Sequence, residues 1–141
     1  MSLSDPVRQI IRQRAGNCCE YCLSHQDYIM GRLQVDHILP VAKGGGDEIE
    51  NLCLACELCN QYKWTKTEFN DPQTGQSIGL FNPRQQRWSD HFQWSKDGTE
   101  IIGLTACGRA TVAALELNNS LAVVVRRNWV MAGWHPPKLN T

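Results

Sequence analysis

Residues 51–63 read NLCLACELCNQYK: three cysteines, each three apart, where a short alternating segment gives way to a run free of Gly and Pro. The change of pattern predicts a short strand over NLCL. A helix follows from Glu57 through about Phe69, and Asn70-Asp71-Pro72 stops it. Upstream, Cys18, Cys19 and Cys22 form a second cluster. Cys19-x-x-Cys22 and Cys56-x-x-Cys59 can each turn two sulfurs onto one ion, which makes a closed four-thiolate site, the structural form of zinc. Cys18 with Cys22, and Cys53 with Cys56, are alternative registers. The former set is preferred because Cys53 falls in the alternating NLCLAC segment, where a small buried thiol is ordinary. A redox CxxC would want a βαβ context that this segment lacks. An odd count of seven cysteines does not suit a disulfide framework.

Working outward, Asp5-Pro6 opens a first helix, with Val7, Ile10, Ile11 and Arg14 on one stripe and a stop at Gly16-Asn17. LQVDHI, residues 33–38, alternates as a short strand, and KGGGD, residues 43–47, must be a loop. The order over 1–69 is therefore helix, cysteine knuckle, strand, glycine loop, strand, cysteine knuckle, helix. Such a module has little apolar surface to bury, and a metal can supply much of its folding energy.

The strand LQVDHI carries an Asp36-His37 pair. Alone it is a weak signal, but three polar residues accompany it. Asn51 opens the second strand, Asn60 lies in the first turns of the next helix, and Lys63 follows on about the same helix face. The order CEYC…DHILP…GGG…NLCLACELCNQYK, over roughly residues 14–66, resembles the HNH endonucleases and their ββα-metal fold. One departure is that the last His of the family name is here Asn60, an oxygen ligand.

The resemblance implies that Asp36 and Asn60 hold one divalent cation, Mg²⁺ or Mn²⁺. It implies that His37 is the general base toward the attacking water, and that Asn51 accepts a hydrogen bond from the other ring nitrogen of His37. Lys63 would pair with a neighbouring phosphate, or simply be solvated. The substrate implied is a phosphodiester bond, in double-stranded DNA, and the glycine loop would let a strand of nucleic acid come close. A zinc-held binding module without catalysis is the alternative.

Residues 70–141 read as a small hairpin-plus-helices extension without a catalytic motif, and the fold class expected of the whole chain is α+β. PQTGQ is a link, and HFQWSKDGTEIIGL a hairpin turning at Asp97-Gly98. Thr105 caps one helix, and Ser120 caps a last one over LAVVVRRNWVMAGW. Trp88, Trp94, Trp129 and Trp134 are expected in its core, and Arg84, Arg87, Arg109, Arg126 and Arg127 in solvent. The charge balance, 14 basic against 14 acidic residues, excludes binding of nucleic acid by bulk charge. No apolar run approaches the ~20 residues of a membrane span, and MSLSDPVRQIIRQR lacks an apolar signal segment. Cytoplasmic location is the expectation. One active site per chain can nick. Cutting both strands takes a homodimer or two visits, and no dimer interface is legible.

Overall fold

The computed structural model describes residues 3–138, a mixture of helices and small antiparallel strand pairs in an α+β arrangement. The chain separates into two compact units: Met1–Thr67 with Asn82–Gln85, and Glu68–Phe81 with Gln86–Thr141. Among the described residues no helix is long and apolar enough to cross a membrane.

The first unit begins with α1 (Asp5–Arg14). Its cap is Ser4 rather than Asp5: the Ser4 hydroxyl accepts from the Val7 N–H, and Asp5 and Pro6 occupy the first turn. Strands β1 (Gln34–His37) and β2 (Leu52–Ala55) pair antiparallel, with Asp36 opposite Cys53 and His37 opposite Leu52. All four β2 residues are buried, and with Ile11, Tyr21 and Leu33 they make the small core. Arg14 reaches from α1 to the carbonyls of Ile49 and Leu52 at the start of β2. Glu20 receives Arg84, so residues 82–85 belong to this unit.

Helix α2 (Glu57–Lys63) is shorter than expected. The chain leaves it at Trp64, whose φ of 48° and ψ of −118° end the helical path, and the Lys66 N–H closes a turn onto the Lys63 carbonyl at 2.8 Å. Residues expected to continue the helix instead form β3 (Glu68–Asn70), which pairs with β4 (Ser77–Gly79). PQTGQ is thus the turn of a hairpin rather than a link. Asp71 organises it by accepting from the Gln73 N–H and the Thr74 hydroxyl.

In the second unit, α3 (Trp88–His91) runs directly into β5 (Phe92–Trp94), which pairs with β6 (Ile101–Gly103) in the expected hairpin. Thr105 caps α4 (Ala106–Ala114) as expected. A Cβ on Gly108 would fall 2.1 Å from the His91 carbonyl oxygen, so only glycine lets α4 lie this close. Asn119, not Ser120, caps α5 (Ser120–Met131), because its side-chain oxygen accepts from the Ala122 N–H.

Phe81, Trp88, Phe92, Ile101, Leu115, Leu117 and Trp129 are buried, with Phe81 edge-on to Phe92 at 5.2 Å; Trp134 is half exposed. Arg87 and Arg127 are exposed as expected, but Arg84, Arg109 and Arg126 correct the expectation of solvated charges. Arg109 clasps the fully buried Asp71 through two nitrogens, at 2.9 and 2.8 Å. Arg126 is buried over the Trp94 ring and donates to the carbonyls of Thr99 and Leu117.

Candidate nuclease site and zinc centre

Cys19, Cys22, Cys56 and Cys59 converge, their sulfurs all within 4.8 Å of one another. Cys22 and Cys56 stand 3.7 Å apart, close to the ~3.8 Å between thiolates that share a tetrahedral zinc with ~2.3 Å bonds. The two knuckles are built alike. The Cys22 N–H points at the Cys19 sulfur and the Cys59 N–H at the Cys56 sulfur, both at 3.5 Å. Cys56 is also the N-cap of α2.

Burial first, then neighbouring sulfurs, pushes the Cys19 thiol well above its ordinary pKa. The sulfurs of Cys19, Cys22 and Cys56 do the same to Cys59, while hydrogen bonds from Cys19 and the other cysteines hold Cys22 low. Four thiols this close cannot all ionise without a cation among them, and an all-sulfur set suits zinc. The alternative register is excluded by position. Cys18 lies outside the cluster, and Cys53 is a buried thiol pushed up to about 12 by burial and by Asp36. His25 serves as a local cap, accepting from the Asp27 N–H.

The Asp-His pair is split across the two faces of β1. Asp36 points inward and is nearly buried. Its Oδ2 accepts from the Tyr21 hydroxyl at 3.0 Å and stands 3.1 Å from the Lys63 ammonium. Lys63 was expected on a phosphate or in solvent. It is instead buried, and it also donates to the His37 carbonyl at 3.0 Å. The reason is geometric: α2 lies against β1, and the lysine's face of the helix is the face that meets Asp36. One turn earlier on that face, Asn60 donates through Nδ2 to Gln34 Oε1 at 2.8 Å. Gln34 and Asp36 share a strand face by their two-residue spacing, so the pairs Gln34–Asn60 and Asp36–Lys63 form parallel rungs between β1 and α2. The first rung orients the Asn60 amide and leaves its oxygen for another partner.

His37 occupies the other face of β1, partly exposed, with Nε2 2.7 Å from Asp47 Oδ1. Here the structure corrects the role expected of Asn51. Its side-chain oxygen accepts from the Leu39 N–H at 2.8 Å, and its Nδ2 donates to the carbonyls of Leu39 and Gly46. Asn51 therefore fixes the loop, and Asp47 meets the imidazole. The glycines serve the same closure: a Cβ on Gly45 would lie 1.7 Å from the Leu39 carbonyl oxygen. At Gly45 the space is taken by the loop itself, whereas a Cβ on Gly44 would meet nothing within 4 Å and that glycine serves the backbone through its φ of 92°.

Residues 19–66 match the family model for the HNH endonucleases. These residues form an HNH module. No curated protein and no solved structure matches the chain. In the HNH module the family resemblance points to Asp36, His37, Asn51 and Asn60, whereas the four clustered cysteines follow from their CxxC spacing. Three partners escaped it: Tyr21, Gln34 and Asp47. Gln34 could have been found two positions before Asp36 on the same strand face. Asp47 carried only its place after three glycines as a signal.

Proposed function

We propose that the HNH module is a metal-dependent endonuclease that hydrolyses phosphodiester bonds in double-stranded DNA. The observation that carries this reading is the division of labour across β1: a held imidazole on one face, and a carboxylate with an oriented amide on the other. Asp36 and the Asn60 oxygen are hard donors that suit Mg²⁺ or Mn²⁺. When bound, such a cation supplies charge stabilisation to the phosphate and the leaving oxygen.

The remaining steps belong to the chain. Asp47 accepts from Nε2–H and so fixes the tautomer of His37. The Nδ1 lone pair is then the base that takes a proton from water. Asn51 ties the loop that carries Asp47 back to Leu39, which keeps carboxylate and imidazole in register. Lys63 and Tyr21 hold the Asp36 carboxylate in place and orient it.

Plasmid nicking with Mg²⁺ or Mn²⁺ tests the reading. His37→Ala should lower turnover by roughly 10²- to 10⁴-fold, the usual contribution of a general base. Asp47→Ala should lower it by about ten- to a hundredfold, the scale of an orienting partner. Equal cutting by wild type and His37→Ala would remove the imidazole from the reaction.

A second reading rests on the Asp36–Lys63 ion pair. A buried ammonium 3.1 Å from the carboxylate can take the place of a metal, and the module would then bind nucleic acid without cutting it. Absence of cutting under either metal, with DNA binding retained, would favour it.

A further inference from the structure

Trp64 stands in a glycine's place. The Lys66 N–H to Lys63 carbonyl bond closes a four-residue turn, and Trp64 is its first central residue. Its φ of 48° and ψ of −118° are those of a type II′ turn, the mirror image of type II at about +60° and −120°. That position is taken by glycine because a side chain crowds the backbone there. Here it holds the largest side chain available, and the indole is not tucked away: Trp64 is 74% exposed. Among the described residues the indole makes no ring contact and no hydrogen bond; only its backbone N–H is used, toward the Asn60 carbonyl. A strained backbone that presents an exposed aromatic gains nothing from folding. Such an outlier points to a function.

The place indicates which function. Trp64 directly follows Lys63 and lies four residues beyond Asn60, at the C-cap of the helix that carries the site. Four residues of helix advance ~6 Å, under two base steps of a duplex at ~3.4 Å each. We infer that Trp64 is a stacking residue: its indole packs against a nucleobase of the DNA strand whose phosphate is held at Asp36 and Asn60. The inference rests on the nuclease reading for the position of the strand. A base offers a flat π-face of the right chemistry to an indole, and the contact needs no net positive charge, in keeping with a chain of zero net charge.

The test uses the full zinc-loaded chain. Fluorescein-labelled duplex DNA is titrated in a His37→Ala background with Mg²⁺, and cleavage is followed in the native background. Trp64→Gly should weaken binding and raise KM about tenfold, within what one base–aromatic stack supplies, with kcat changed much less. Its melting temperature should not fall, because the strain is relieved. Trp64→Phe should stay within about threefold of wild type, since a phenyl ring also stacks. Unchanged binding in Trp64→Gly would overturn the proposal, and so would a Trp64→Phe variant as weak as Trp64→Gly. If wild type binds through Trp64 but cuts with neither metal, the nuclease reading fails and the stacking residue stands. If wild type cuts and Trp64→Gly cuts with the same KM, the stacking residue fails and the nuclease reading stands. If wild type does not bind DNA, both fall.

Discussion

In the HNH module β2 is four residues long, and β1 gives an inward position to a carboxylate. In the second unit, two tryptophans, two phenylalanines and a set of aliphatic side chains close around a hairpin and α4. The first unit places polar chemistry at its centre and relies on four converging sulfurs. The second spends its charges on holding itself together: Asp71 with Arg109, and Arg126 over Trp94. A small domain can therefore keep a reactive interior where a metal carries the folding energy, whereas its neighbour must bury apolar surface.

Zinc removal is the most severe way to break this contrast. Chelation, or Cys56→Ser, should remove stability on the scale of a structural zinc site, apparent values being about 10 kcal/mol or more. Amide exchange should then become fast across β1, β2 and α2 while the core of the second unit stays protected. Cys53→Ser should leave zinc content unchanged. Uniform loss of protection across both units would show that their stabilities are not separate.

Replacing Lys63 is the next test. Lys63→Ala removes the ammonium facing the buried Asp36 and leaves it the Tyr21 hydroxyl and the Cys53 thiol. Breaking such a pair costs about 3–5 kcal/mol. A divalent cation at Asp36 should recover part of that loss, so Mn²⁺ should raise the urea midpoint of Lys63→Ala more than that of wild type. An equal Mn²⁺ effect on both would count against Asp36 as a cation ligand.

The smallest effect concerns acid and falls on the second unit. Arg109 holds the Asp71 carboxyl well below the usual carboxylate range, against the opposing effect of burial, and the Thr99 backbone N–H pulls Asp97 down to about 2. Depressed carboxylates stabilise the fold above their unfolded pKa of about 4 and lose that contribution as protons bind below it. Stability of this unit should therefore be flat above about pH 4 and decline below it. Asp71→Asn should lower the plateau and flatten the decline, as read by melting temperature against pH.

What the sequence disclosed followed from the range of each interaction. The CxxC pairs are local, and their spacing alone brought the right four sulfurs together. Asp36, His37 and Asn60 were found through a family pattern. The partners of Asn51 were not, since two of them are main-chain carbonyls that leave no mark in a sequence. Lys63 looked like an ordinary helix lysine because its burial depends on a strand 26 residues away in the chain. The helix expected to reach Phe69 stopped at Lys63 because residues 68–70 had a pairing partner in 77–79, a tertiary choice that overrides a run of passable helix formers.

Cys56, Asn60 and Lys63 recur at four and three residues, one line along α2. That line carries a sulfur, an amide and an ammonium. A helix of seven residues does not persist by itself in water, so α2 exists only while docked through those three groups. The Asn60 rung to Gln34 and the anchor to the cysteine knuckle thus stand or fall in one transition. The HNH module should have no half-assembled form that keeps its four-cysteine knot yet has lost the contacts of Asn60 and Lys63 to β1.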